Sequence, residues 1–364
     1  MAADLMRWLG FMVGLAIAAF TTGSIINTII TPRSISSRIS YSIWRGAQSF
    51  FLAIADRLPR YESKDRVLAY LAPVSLLAVL IGWLLLFFLA FALLFWPLVD
   101  GGFGAALQLS GSSMFTLGVA SSSRGVPTAL EFIAAATGII TVALQIGYLP
   151  TIYGAYSRRE TLVTALNSRT GTPSWGPEIL ARHHLIQGLP TLPALFAAWE
   201  AWAADMAESH TNYPWLMFFR SPHRFHSWIV SLTAVLDSAA LYHALAPSQA
   251  PAEARQCLRM GFVGLRALAR VLGLTVHDDP RPDDPLQLSY EEFVAGVEIL
   301  RRVGFPIERS AAEAWPEFRG WRVNYEAAAY GIAQAVVAVP APWSGERRLM
   351  THQERFAVLV NRPR

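Results

Sequence analysis

Residues 111–121 form a stretch that is more polar than the long apolar runs on either side of it. The stretch reads Gly-Ser-Ser-Met-Phe-Thr-Leu-Gly-Val-Ala-Ser. It is too polar to face lipid, too rich in glycine to be wholly helical, and too short to fold as a domain. Non-helical main chain at membrane depth is tolerated only where protein covers it or where it lines water. We therefore predict a re-entrant loop here.

Two uncharged apolar runs, residues 67–99 and 132–156, flank this stretch. Each exceeds the ~20 residues that a helix needs to cross a hydrocarbon core. We predict an outer helix over residues 67–99, a pore helix and loop over 103–121, and an inner helix over 129–156. These elements would make residues 67–160 a pore domain, because two spanning helices joined by a re-entrant loop are the plan of an ion-channel pore.

The centre of the loop resembles the Thr-Val-Gly-Tyr-Gly selectivity filter of the potassium channel family. The filter-like residues are Thr116, Leu117, Gly118, Val119 and Ala120. Pro127 stands where the family has a proline after its filter, and Gly138 stands where its inner helix has a hinge glycine. Over residues 68–160 the chain therefore resembles bacterial potassium-channel-like proteins with one pore loop per subunit.

The resemblance implies that main-chain carbonyls of the loop replace the hydration shell of permeant monovalent cations, potassium above all, with no cofactor. Gly118 would supply a positive φ, and the Thr116 hydroxyl would add a ligand at the inner end. The chain departs from the family pattern at three positions. Val119 lacks the tyrosine phenol, Ser121 replaces an acidic residue, and positive φ at Ala120 would cost about 1–2 kcal/mol. We therefore expect weakened potassium selectivity, with ion sites near Val119 wider or absent.

Polar residues on the predicted inner helix recur every four positions and share one face. They are Thr137, Thr141 and Gln145. Two interpretations stay open, because this face either lines a water-filled cavity or packs against another helix, where threonine is also at home. At the outer mouth, Glu131 either pairs with Arg124 or lies at the lipid interface. Pairing would neutralise Arg124, whereas four unpaired arginines around the mouth would repel cations.

The amino-terminal segment, residues 1–32, is predicted to be a retained transmembrane helix, with a cleavable signal peptide as the alternative. Residues 33–66 form a basic linker that is either a helix at the membrane surface or a solvated connection. Its basic residues are Arg33, Arg38, Arg45, Arg57, Arg60, Lys64 and Arg66. Positive charge favours the cytoplasmic side of a membrane, and Arg158 and Arg159 follow the inner helix. We therefore expect the amino terminus outside and the carboxyl terminus inside.

Composition divides the chain of 364 residues into an apolar first half and a more charged second half. Charged residues make up only 15% of it, whereas soluble domains average about 25%. Residues 161–344 carry apolar positions at helical spacing, which predicts an all-helical cytoplasmic domain, and residues 345–364 read as a mobile tail. The expected fold class is an all-α membrane protein with an extra amino-terminal helix before the pore domain.

Ionisable residues in apolar surroundings are the candidates for chemistry in the second half. Asp237 and Glu200 lie in apolar segments, and Arg220 and Arg224 are plausible partners of Asp237. Buried ion pairs of this kind are more often structural than catalytic. No phosphate loop, serine nucleophile elbow or zinc-protease motif is present in the sequence, so we do not expect an enzyme.

Metal and nucleic-acid sites have little support in the sequence. The histidines that lie close together in sequence are His183, His184, His223 and His226. No second cluster of ligands at metal spacing accompanies them. Cys257 is the single cysteine, which excludes an internal disulfide and a cysteine-based metal site. The arginines are scattered rather than gathered on one face, so no nucleic-acid partner is expected.

These observations favour a subunit of a homotetrameric monovalent-cation channel in the bacterial inner (plasma) membrane, surrounded by lipid. The helical domain would serve assembly or gating, with room for a ligand or protein partner of unknown identity. One rival is a membrane-anchored cytoplasmic receptor or enzyme whose pore-like domain does not conduct. A second rival is a channel that is poorly selective or passes anions.

Overall fold

The computed structural model of the chain describes residues 2–31, 37–122 and 125–345. Those residues contain helices and connecting turns but no strand, so the predicted all-α class is confirmed for the part that the structure describes. The chain divides into two compact units, Met1–Gly154 and Ala155–Arg364. This boundary falls near the predicted change from membrane to soluble character.

Six helices build the amino-terminal unit within the described ranges, and the last of them continues into the second unit. They are α1 (Ala2–Ile25, extended by a π-helical turn Ile26–Ile30), α2 (Arg38–Asp56), α3 (Tyr61–Leu68), α4 (Leu71–Phe95), α5 (Gly102–Met114) and α6 (Gly125–Leu166). The predicted outer helix is shorter than expected at both ends. It stops at Phe95 because Pro97 has no N–H to continue the hydrogen-bond ladder.

Four helical stretches are long and apolar enough to cross a membrane, judged by length and composition. They are Ala2–Ile30, Tyr61–Phe95, Gly125–Leu166 and Trp228–Leu245. The first three belong wholly or mainly to the amino-terminal unit and coincide with the predicted spans. The first half of the chain is therefore rich in helices suited to lipid.

Close packing of α1 against α4 depends on small residues. A Cβ built on Gly14 would lie 2.7 Å from the carbonyl oxygen of Ala90, so only glycine permits this approach. Further along, the indole N–H of Trp83 donates to the Ser24 hydroxyl at 2.9 Å, and Ser24 contacts the Ser37 hydroxyl at 2.5 Å. Small residues and interhelical hydrogen bonds of this type are what hold helices together in lipid.

The basic linker forms a helix over α2, as the surface-helix alternative of the sequence analysis requires. Trp44 is buried, and the side chain of Ile43 lies against Gly82 of α4. The opposite side exposes Tyr41, Arg45 and Phe50, with the Arg45 guanidinium 5.7 Å from the centre of the Tyr41 ring. Such a face, basic and aromatic, is typical of a helix at a membrane surface. Its placement at a membrane remains a prediction.

The carboxyl-terminal unit is built from helices that surround one central helix. They are α7 (Gly176–Leu185), α8 (Leu192–Asn212), α9 (Trp228–Leu245), α10 (Ala252–Val271), α11 (Tyr290–Val303), α12 (Ala311–Arg322) and α13 (Glu326–Ala335). Every residue of α9 is buried, because α7, α10, α12 and α13 pack around it. A helix covered on all sides by protein leaves no surface for lipid. We therefore interpret α9 as a core helix of this unit, although its length and apolar composition would also suit a membrane span.

Candidate functional site

The pore-helix prediction corresponds closely to α5, whose carboxyl end begins the candidate site. The Thr116 N–H donates to the Ser113 carbonyl at 3.0 Å and the Leu117 N–H donates to the Ser112 carbonyl at 2.8 Å. This pair of bonds is the Schellman ending of a helix. Thr116 occupies the position that favours glycine and has φ 53°. Because an L-residue pays about 1–2 kcal/mol there, the chain tolerates strain at Thr116.

Positive φ alternates along the filter-like residues. Thr116 and Gly118 have φ values of 53° and 68°, whereas Leu117, Val119 and Ala120 do not adopt positive φ. The strain expected at Ala120 is therefore absent from the single chain, and Thr116 carries it instead. Gln187, Val337 and Trp343 also have positive φ, so strain alone does not single out this loop. The loop is the leading site candidate because strain at Thr116 coincides with the filter-like residues.

Ser112 fastens the outer part of the loop to the pore helix. Its hydroxyl donates to the Ala120 carbonyl at 2.7 Å and accepts from the Ala120 N–H at 2.9 Å. Val119 supplies no phenol to brace the loop, and Ser112 provides a brace of another kind. Sequence reasoning missed this role because a serine in the last turn of a helix reads as ordinary helix surface.

Glu131 holds the other end of the loop from helix α6. One carboxylate oxygen of Glu131 accepts from the Ser122 N–H at 2.7 Å, while the Thr128 hydroxyl donates to the Ser122 carbonyl at 2.8 Å. The predicted partner of Glu131, Arg124, lies outside the described residues. The loop is thus tied to α5 through Ser112 and to α6 through Glu131 and Thr128.

Gly138 lies where α6 passes the carboxyl end of α5. A Cβ built at Gly138 would come within 2.2 Å of the Met114 carbonyl oxygen, so any side chain would force the two helices apart. Helix α6 runs without interruption through this position. The hinge role implied by the family resemblance stays a prediction, while the close approach alone accounts for glycine here.

Two of the three polar residues on this face of α6 are buried within a single chain, whereas Thr137 is part-exposed. Thr141 is 2% exposed and Gln145 is 5% exposed within a single chain. The hydroxyls of Thr137 and Thr141 donate to main-chain carbonyls one turn earlier, at 2.8 and 2.7 Å. The burial of Thr141 and Gln145 agrees with helix packing in a single chain, and cavity lining in an assembled tetramer stays a prediction.

A cysteine substituted for Thr141 is therefore expected to resist a small water-soluble thiol reagent in the folded protein and to react after denaturation. The native Cys257 is itself fully buried, so it contributes little background. Cysteine at Arg301, an exposed position of α11 in the carboxyl-terminal unit, serves as the reactive reference position. Rapid labelling of the Thr141→Cys protein in its folded state would instead support the interpretation that this face lines a water-filled cavity.

In the carboxyl-terminal unit, Asp237 of α9 pairs with Arg322 of α12, and this corrects the predicted partners Arg220 and Arg224. Both side chains are almost completely buried, Arg322 at 0% exposure. The Arg220 guanidinium instead donates to the Val337 carbonyl at 2.9 and 3.0 Å. Nearness in sequence suggested the wrong arginine, because the packing of α12 on α9 chooses the partner.

The same arginine organises a larger polar network. Arg322 donates to the Glu326 carboxylate at 2.8 Å, to the Tyr330 hydroxyl at 2.7 Å and to a main-chain carbonyl. The Tyr325 hydroxyl donates to Asp237 at 2.7 Å. Burial, together with the negative charge of Asp237, raises the pKa of Tyr325, so this phenol stays protonated. Each charge therefore has partners, as a stable buried network requires.

A second buried network surrounds Arg159 near the end of α6. Its guanidinium donates to Glu160 at 2.8 Å and to the carbonyls of Leu216 and Phe219 at 2.6 and 2.7 Å. Arg159 also approaches the imidazole of His210 at 3.2 Å, and burial together with the Arg159 charge holds the pKa of His210 well below its usual value.

The burial of Arg159 weakens one part of the topology argument. Only Arg158 of the basic pair is exposed, and it is bonded to Asp205 at 3.1 Å. The charge asymmetry that predicts an inside carboxyl terminus therefore rests mainly on the basic linker.

Metal ligands do not gather among the residues that the structure describes, where no group of three or more histidine, cysteine or acidic side chains could hold an ion. Comparison of the chain with protein families, with curated proteins and with solved structures gives no match.

Proposed function

We propose that the chain is a subunit of a homotetrameric monovalent-cation channel with weakened potassium selectivity. The observation that carries the proposal is the loop after α5, whose filter-like residues hold alternating positive φ while Ser112 and Glu131 fasten its two ends. A loop held at both ends can present main-chain carbonyls at fixed positions without closing on itself. Carbonyls presented in this way are the ligands of a potassium-type filter.

Electrostatics at the end of α5 supports a cation rather than an anion. The loop follows directly from the carboxyl terminus of this helix, where the main-chain dipoles sum to partial negative charge. Four such termini around one axis would favour a cation between them. The described part of the loop carries no positive side chain.

Incomplete covering of the loop in one chain supports an assembly. Leu117 and Val119 are 62% and 67% exposed in the isolated subunit, although both are large and apolar. One loop per chain cannot close a pore, whereas cyclic symmetry brings equivalent loops together around an axis. In this proposal the α1, α4 and α6 helices cross the plasma membrane with the amino terminus outside. The helical domain lies in the cytoplasm and serves assembly or gating.

Reversal potentials of the purified full-length protein in a planar bilayer test this function. Across a potassium–sodium gradient we expect a cation current with a modest preference for potassium. The double variant Val119→Tyr, Ala120→Gly should raise that preference, because glycine permits the left-handed conformation that Ala120 does not adopt and tyrosine can brace the loop. A reversal potential set by chloride, or no current at all, would contradict the proposal.

A further inference from the structure

An open cleft of about 450 Å³ lies on the carboxyl-terminal unit, and none of the predicted sites includes it. Its walls come from one residue after α6 and from the segment that precedes α9. The lining residues are Thr172, Pro222, His223, Arg224, Phe225 and His226. Most of the polar groups on this list are nitrogen donors.

Hydrogen bonding from Asn167 fixes the tautomer of one of these donors. The Asn167 amide nitrogen donates to the Val163 carbonyl at 2.9 Å and lies 2.9 Å from Nδ1 of His226. Since that amide nitrogen is a donor, Nδ1 of a neutral His226 must accept, and the ring proton resides on Nε2. His226 therefore offers an Nε2–H donor, with the His223 ring 4.8 Å away.

Positive charge in the cleft lacks a local counterion. Arg224 is exposed and permanently charged, and no carboxylate lines the cleft among the residues that the structure describes. The acid whose charge acts on His226 is Glu160, and Glu160 is already bonded to Arg159 at 2.8 Å. A guanidinium beside imidazole donors, without acidic competitors, is suited to an oxyanion.

We propose that this cleft binds a phosphate group, held by the Arg224 guanidinium and the imidazoles of His223 and His226. The planar guanidinium matches two phosphate oxygens at once. Pro222 and Phe225 add apolar wall beside the charged groups, so the phosphate belongs to a larger molecule with an apolar part. That molecule is either a soluble phosphate ester or a lipid with a phosphate headgroup.

The cleft is connected to helix α6 within the same unit. The Tyr156 hydroxyl donates to the main-chain carbonyl of Arg220 at 3.0 Å, two residues before the cleft segment begins. A phosphate at this site therefore bonds a segment that is itself fastened to α6. Ligand binding at this site therefore acts on the helical unit. This inference does not depend on whether the protein conducts ions.

Binding is expected to rest on the permanent charge of Arg224, with the neutral imidazole of His226 donating from Nε2. Burial and the neighbouring His223 lower the pKa of His226 in the free protein, while Glu160 acts in the opposite direction. Asn167, the residue that follows the end of α6, lies against Nδ1 of this ring. The His226 ring therefore meets the phosphate as a neutral donor, because a second ring proton would lie on Nδ1, where the Asn167 amide already donates.

The test is calorimetric titration of the full-length protein in lipid nanodiscs with inorganic phosphate, at constant ionic strength set with chloride. Arg224→Gln should weaken phosphate binding at least about tenfold, since a charge-assisted contact is lost. Arg224→Lys should retain part of the affinity. Arg259→Gln, at an exposed α10 arginine that does not line the cleft, is the matched control and should bind as the native chain does.

Melting temperatures without phosphate confirm that each variant is folded, and His223→Gln provides a second variant with a smaller expected loss. Nanodiscs with and without phosphatidic acid distinguish the two sources of phosphate. Competition by phosphatidic acid identifies a lipid headgroup, and equal phosphate binding in both bilayers identifies a soluble ester. Absence of binding to both probes, or equal binding by Arg224→Gln and Arg259→Gln, would overturn the proposal.

Discussion

Replacing Arg322 with glutamine is expected to destabilise the carboxyl-terminal unit by about 3–5 kcal/mol, the cost typical of breaking a buried ion pair by removing one partner. The Arg322 guanidinium is fully buried and bonds Asp237, Glu326, Tyr330 and a main-chain carbonyl. Glutamine cannot neutralise either carboxylate. Asp237, at the centre of α9, would keep a buried charge with the Tyr325 hydroxyl as its remaining partner.

Chemical denaturation of the full-length protein, followed by tryptophan fluorescence, measures this loss. Arg301→Gln is the matched control, because Arg301 forms an exposed pair with Glu298 at 2.7 Å and surface pairs contribute little to stability. Equal denaturation midpoints for Arg322→Gln and Arg301→Gln would show that water or another cation satisfies Asp237.

The Arg322 network also shows the limit of reading packing from sequence. The position of Asp237 in an apolar run predicts a buried carboxylate and therefore a cationic partner. Sequence does not say which arginine reaches it, because that depends on α12 folding back onto α9 over a separation of 85 positions. Helix periodicity predicts the elements of this unit but not their neighbours.

In the loop region, the pore helix was predictable from the sequence, whereas the hydrogen-bond partner of the loop was not. Composition and spacing predict a pore helix over residues 103–115, and α5 covers Gly102–Met114. Local propensity is sufficient to predict this helix, because Gly101 precedes it and Gly118 interrupts helix formation after it. The partner of Ala120 was beyond sequence reasoning, because the Ser112 bond closes a loop across eight positions of irregular main chain.

The polar face of α6 was ambiguous for a physical reason. Thr137, Thr141 and Gln145 share a face at helical spacing whether that face meets water or another helix. A threonine hydroxyl can bond the carbonyl one turn earlier in either setting, as Thr141 does at 2.7 Å. Thr141 and Gln145 are buried in a single chain, which agrees with packing, while cavity lining in a tetramer stays a prediction.

Ser112→Ala is expected to release the outer half of the loop and to abolish whatever ion selectivity the protein has. Alanine removes the hydroxyl that donates to the Ala120 carbonyl at 2.7 Å and accepts from its N–H at 2.9 Å. Both main-chain groups would lose their partner in a part-buried position, at a cost of about 1–3 kcal/mol for each unsatisfied group. Freed from α5, the segment from Gly118 to Ala120 no longer holds its carbonyls at fixed positions.

Two measurements on the Ser112→Ala protein separate the structural effect from the functional one. Hydrogen exchange of the Ala120 amide should become faster whether or not the protein conducts. In a planar bilayer the potassium–sodium reversal potential should move toward zero, since mobile carbonyls discriminate poorly between cations. Ser113→Ala is the matched control, because the Ser113 hydroxyl bonds only the Leu109 carbonyl of its own helix at 2.8 Å and leaves the loop untouched. Unchanged exchange at Ala120 in Ser112→Ala would mean that the loop keeps its shape without this serine. Faster exchange with an unchanged reversal potential would place ion discrimination elsewhere in the chain.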